Sequence, residues 1–174
     1  MTKKQNIIFV IICFYFVTLS SGAKAPEDSL AETIKHSQTD AQRMETLLGI
    51  ARSKVNNNDV MALQYAEMAL KIADSLGNKY NSGMANEYIG KSWKLLGDHN
   101  IALDYMFDAL KIFKLLGKDD ESAEILRSIG EIYRASARYD MALQYLDEAL
   151  KVFTETRNEL GQGRTYDRFA AVSL

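Results

Sequence analysis

Ala102-Leu103-Asp104-Tyr105, with Ala109-Leu110-Lys111-Ile112 seven residues further on, is the middle one of three copies. The same pattern precedes it as Ala62-Leu63-Gln64-Tyr65 with Ala69-Leu70-Lys71-Ile72. It follows as Ala142-Leu143-Gln144-Tyr145 with Ala149-Leu150-Lys151-Val152, so the spacing is 40 each time. A fixed period in the range of about 20–50 residues marks a stacked repeat architecture, in which each unit covers the hydrophobic face of its neighbour. Such arrays generally bind other proteins and seldom carry chemistry. The repeat therefore bears on the kind of function more than on its particular target.

Within each copy the apolar residues lie on one helical stripe. They fall at Ala62, Ala66, Ala69, Leu70, Ala73 and Leu76, then at Ala102, Met106, Ala109, Leu110, Phe113 and Leu116, then at Ala142, Leu146, Ala149, Leu150 and Phe153. Steps of 4, 3, 1 and 3 keep these side chains on the same side of a 3.6-residue helix. Two helices approach closely only where side chains are small, so the alanines mark the line of contact with a partner helix. Gly77 and Gly117 stand where a left-handed residue would close a helix. Asp98, after Gly97, is placed to cap the next one. Asn56-Asn57-Asn58 reads as the turn inside the first pair. Asp119, Asp120 and Glu121 read as acids at the positive end of a helix rather than as an acidic site.

The first residues have a different character. Lys3 and Lys4 precede eleven uncharged residues, Ile7 to Val17, and then small and polar ones. This order predicts a secretory signal peptide over residues 1–25, cleaved after Ala23 or Ala25. Its apolar core is shorter than the roughly 20 residues a membrane-spanning helix needs. Residues 26–41 read as a polar leader or frayed helix, and residues 42–174 as the repeats. Cys13, the one cysteine, falls within the signal, so the mature chain is expected to lack disulfides and thiolate metal sites. Removing Lys3, Lys4 and Lys24 from 21 basic residues against 23 acidic ones leaves a net charge near −5. An acidic balance argues against a nucleic-acid partner.

With paired helices in place, the chain resembles the tetratricopeptide repeat family. Ile89-Gly90, Trp93, Ala102, Met106 and Ala109 carry the resemblance in one unit; Ile129-Gly130, Tyr133, Ala142, Leu146 and Ala149 carry it in the next. The first unit matches in Ala62, Ala66 and Ala69, while its Leu48-Gly49 needs one extra residue before Ala62. A fourth unit begins near Gly163, with Phe169-Ala170 in place of Ile-Gly. Units are expected at about 42–78, 83–118 and 123–158, with a partial fourth from 163. The period of 40 exceeds the family's usual 34 or so, as in its long-repeat subgroup. The resemblance implies an all-α, right-handed superhelical solenoid of antiparallel helix pairs whose first helices line a concave groove. By offset from Gly90 and Gly130, the groove positions would be Met84, Glu87, Lys91, Lys94, Glu124, Arg127, Glu131 and Arg134, joined by Arg43 and Arg164 from the flanking units. A row of Arg and Lys suits an acidic or C-terminal peptide, although the interleaved glutamates can neutralise it as ordinary ion pairs.

Little else in the sequence points to chemistry. His36 and His99 stand far apart without metal-ligand spacing, and Gly161-Gln162-Gly163 lacks the strand and lysine of a phosphate loop. The expected function is therefore an exported, periplasmic or secreted interaction module, neither an enzyme nor cofactor-dependent, that takes a protein or peptide partner. After signal cleavage no membrane association is expected, unless a longer chain continues into a transmembrane helix. The alternative is an extracytoplasmic sensory input domain at the front of a longer bacterial histidine kinase or transcriptional regulator.

Overall fold

A computed structural model describes residues 39–172. The expected signal peptide and most of the polar leader lie outside the described residues, as does the end of the chain. Among the described residues seven helices follow one another: α1 (Asp40–Asn56), α2 (Ala62–Ser75), α3 (Lys79–Leu96), α4 (His99–Leu115), α5 (Asp119–Ala135), α6 (Tyr139–Glu155) and α7 (Glu159–Val172). The described residues contain no strand. The all-α repeat array expected from the periodicity is what forms.

From α3 onward the helices start at 79, 99, 119, 139 and 159, so each helix with its turn spans half of the sequence period. One type of turn makes this possible. Residues 77, 97, 117, 137 and 157 all have positive φ, and each next residue returns its N–H to the carbonyl five residues earlier, at 2.8–3.1 Å. This closure keeps the connections on either side of a helix nearly equal in length. Glycine supplies the left-handed position three times; Ala137 and Arg157 supply it with φ of 57°, where a Cβ is strained. Asn78, Asp98 and Asn158 then accept from backbone N–H groups three residues on, at 3.1, 3.2 and 2.9 Å. The first helices thus begin about four residues sooner than 83, 123 and 163. The cap residue sits directly behind the left-handed one.

The first pair is built differently. Thr39 and Gln42 form a reciprocal capping box, with both bonds at 3.2 Å, so α1 starts two residues before Gln42. Its connection to α2 spans residues 57–61 and is tied by a Lys54–Asp59 ion pair at 2.6 Å. Gly49, expected to match Gly90 and Gly130, does not occupy their position. A Cβ on Gly90 would stand 3.0 Å from the Ala102 carbonyl and 3.1 Å from Met106, and one on Gly130 2.9 Å from Leu146. A Cβ on Gly49 would meet nothing within 4 Å. The longer turn releases α1 from the register of the other first helices, and Leu47 and Ala51 take the buried places instead.

The alanine seam is fully buried: Ala62, Ala66, Ala69, Ala73, Ala102, Ala109, Ala142 and Ala149 have no exposed surface. Phe113 and Phe153 are equally enclosed. Leu76 and Leu116 depart from the predicted stripe. They cap their helices and are 47% and 41% exposed, because the helix ends just where the stripe would continue. The backbones of α1 and α3, of α3 and α5, and of α5 and α7 come within 8 Å, whereas those of α2, α4 and α6 do not. Second helices meet only through long side chains, as in Phe107–Tyr145 (ring centroids 6.0 Å apart) and Lys114–Glu148 (3.1 Å). Closer approach on the first-helix side curves the array around that side, and the groove lies there.

Candidate functional site

A cleft of about 560 Å³ opens on that inner side. Its wall takes Arg52 and Asn56 from α1; Tyr80, Met84, Glu87, Tyr88 and Lys91 from α3; Asp120, Glu121, Glu124 and Arg127 from α5; and Arg164 from α7. No second helix contributes. Met84, Glu124 and Arg164 occupy equivalent positions one repeat period apart, so one column of the repeat runs across the α3, α5 and α7 walls of the cleft.

Six of the expected groove residues line this cleft: Met84, Glu87, Lys91, Glu124, Arg127 and Arg164. Four do not. Arg43 pairs with Asp40 at 3.2 Å on the outermost helix. Lys94 and Glu131 pair with each other at 2.8 Å beyond the cleft, and Arg134 has a buried Nε without a hydrogen-bond partner. Arg52, Asn56, Tyr80, Tyr88, Asp120 and Glu121 lie outside the expected set. Arg52 and Asn56 escape any offset taken from Gly90 because α1 has its own register. Tyr80 and Asp120 share a repeat position close to the helix start, a turn sooner than the predicted groove row.

The electrostatics are internally balanced. Four cations and four carboxylates line the cleft, for a formal charge of zero. Lys91 and Glu87 form a close ion pair one helical turn apart. Arg127 donates through Nη2 and Nε to Glu124 at 2.6 and 3.2 Å, and through Nη1 to Glu131 at 2.6 Å. Burial alone would weaken the hold of Arg127 on its proton, but Glu124 and Glu131 outweigh it and raise its pKa. Glu131 also accepts from Lys94 of α3 at 2.8 Å and lies 2.8 Å from Arg168 Nε of α7, a charge contact without hydrogen-bond alignment. Burial pushes its carboxyl up, yet Lys94, Arg127 and Arg168 together bring it below the ordinary glutamate range. Three first helices are thereby joined at one carboxylate.

Tyrosines furnish the remaining wall. Burial, assisted by the charge of Glu87, pushes the Tyr88 hydroxyl up to about 12. Burial also raises Tyr80, whose hydroxyl donates to Glu121 at 3.1 Å. Both stay protonated at neutral pH; Tyr80, 37% exposed, presents its ring, whereas Tyr88 is buried. Arg52 is exposed and makes no ion pair among the described residues; Arg164 is 54% exposed and only approaches Glu124, at 3.7 Å. These two are the most exposed cations of the cleft. Among the described residues no cluster of three or more histidine, cysteine or acidic side chains has the arrangement of a metal site.

The periodic aromatics pack the pairs together. Tyr133 stacks on Tyr145 with ring centroids 5.3 Å apart, and the Arg138 guanidinium lies 4.5 Å from the Tyr133 ring centre. Trp93 packs against the core.

Comparison with known proteins agrees with the helical repeat fold. Residues 84–155 match the family model of the tetratricopeptide repeat. Among solved structures, the chain is similar to the tetratricopeptide repeat domain of Arabidopsis FLU, at 20% identity over 67% of this chain and 99% of that one, with a TM-score of 0.62. It is also similar to BtubC (BKLC) from P. vanneervenii, at 16% identity over 84% of this chain and 66% of that one, with a TM-score of 0.63. No curated protein matches the chain. The likenesses establish the fold: a tetratricopeptide-type array of paired helices.

Proposed function

We propose that this chain is an exported interaction module that holds a peptide or protein segment in the groove of α1, α3, α5 and α7. The observation that carries the reading is the composition of the cleft wall: all four first helices and no second helix. A ligand lying across it would touch every repeat at once, which is how short helical units build an extended binding surface. Tyr80 and Met84 offer a ring and an adaptable thioether for apolar side chains, while Arg52 and Arg164 offer guanidinium groups for carboxylates. A role in scaffolding, with no catalysis of its own, suits a cleft whose ionisable groups largely neutralise one another. Export rests on Lys3, Lys4 and the uncharged run from Ile7 to Val17. N-terminal sequencing of mature material should begin at Lys24 or Pro26, and an intact Met1 would contradict it.

The groove is tested by charge reversal at its two most exposed arginines, neither of which makes a hydrogen-bonded ion pair among the described residues. Arg52→Glu with Arg164→Glu should remove partner capture while leaving the melting curve nearly unchanged. Arg127→Glu is unsuitable, because its side chain is only 11% exposed and is held by two glutamates. Lys111→Glu with Lys151→Glu, on exposed parts of α4 and α6, is the control. A partner lost with the control and kept by the groove variant would place function on the outer face.

A further inference from the structure

Glu124 stands between two guanidinium groups. Its Oε2 accepts both bonds from Arg127, and its Oε1 lies 3.7 Å from Arg164 Nη1. This is the way an arginine pair would take a carboxylate from a ligand, with the place already filled from within the chain. Glu124 differs from the other carboxylate on Arg127. Glu131 is 16% exposed, lies outside the cleft and anchors three cations, so it belongs to the scaffold. Glu124 lines the cleft, is 31% exposed, and reaches Arg164 too loosely for a hydrogen bond. Its charge is not required by the repeat, since the same position holds Met84 in α3 and Arg164 in α7.

We infer that Glu124 sets the charge preference of the groove: it is an internal carboxylate, bound to Arg127 and lying close to Arg164, that weakens the hold of the groove on uniformly acidic segments. The inference rests on the groove being the binding face. With Glu124 in place the cleft is formally neutral; with a neutral side chain there, it gains one positive charge and two guanidinium edges open to a ligand. An acidic segment then meets Arg52, Arg164 and part of Arg127, whereas a basic segment loses one of its carboxylates.

The test uses fluorescently labelled hexaglutamate and hexalysine in polarisation titrations at low ionic strength, where screening is weak. Glu124→Gln should bind hexaglutamate about tenfold more tightly than the wild type, the scale of one charge-assisted hydrogen bond, and hexalysine less tightly. Adding Arg164→Gln should cancel most of the gain. Thermal melts check that each variant folds, and Glu124→Met, which copies the residue of α3, stands in if glutamine does not. Equal hexaglutamate affinity in wild type and variant, or no binding to either, overturns the role of Glu124 and leaves the groove reading standing. A gain that survives both Arg164→Gln and Arg52→Gln puts the probe elsewhere; in that case the groove reading falls and this inference with it.

Discussion

The first helix pair and the third each carry a glycine in outwardly the same place, and the two do opposite things. In α5, Gly130 is the point where the helix presses onto α6: any Cβ would enter Leu146 and approach the Ala142 carbonyl at 3.1 Å. In α1, Gly49 faces open space. The next residue differs as well, since Glu131 ties three helices together while Ile50 is merely half-buried. The lesson is that a sequence repeat and a contact repeat are separate properties. The turn between the helices decides whether the one becomes the other.

The largest effect that would sharpen this contrast is at Glu131. Glu131→Gln leaves Arg127, Lys94 and Arg168 short of a partly buried counter-ion and should destabilise the domain by about 3 kcal/mol at neutral pH. The sign with pH follows from its lowered pKa. A carboxyl depressed on folding contributes fully above its unfolded value, near 4.5, and that contribution is lost as pH falls through the folded value. The gap between wild type and variant in denaturant titrations should therefore begin to narrow as pH falls below about 4.5 and shrink further with more acid. A gap independent of pH would mean that the ion pairs are not what the substitution removes.

Next come the two glycines themselves. Gly130→Ala gains helix propensity but forces a methyl into a packed crossing, for a net loss of about 1–2 kcal/mol. The same change at Gly49 has only the gain, a stabilisation of about 0.5–1 kcal/mol. Thermal melts that move in the same direction for both would refute the difference between the pairs. A smaller effect is expected at the turns. Ala137→Gly relieves a left-handed alanine and should stabilise by about 0.5 kcal/mol, the relief being partly offset by added freedom in the unfolded chain. Smallest of all, Lys111→Ala on the exposed side of α4 should shift stability by less than about 0.5 kcal/mol. A larger shift would mean that the second-helix surface is less passive than its exposure implies.

Much of this is legible in residue types alone. The alanine seam at Ala102, Ala109, Ala142 and Ala149 is visible because small residues recur at helical spacing, and every one of them is fully buried. The column of Met84, Glu124 and Arg164 follows from counting one period along the chain, and all three line the cleft. What cannot be read is which cations a ligand could reach. Arg127 and Arg164 look alike in sequence, yet one is 11% exposed and held by two glutamates while the other is 54% exposed. Arg52, exposed in the cleft, cannot be read from the sequence for another reason: its place depends on the longer turn, residues 57–61, that shifts α1 out of step.

By itself the sequence determined an all-α array of paired helices, the turns at Gly77, Gly97 and Gly117, and the alanine seam that the pairs bury. Those properties follow from side-chain size and spacing within one helix or one turn, and they need no knowledge of what lies opposite. Only the tertiary structure decided that Gly49 is idle, that Glu131 joins three helices, and that Glu124 stands between two arginines. Each of these depends on how closely groups from different helices approach. That distance is set by the register of one helix on the next, to which the periodicity of a single helix is blind.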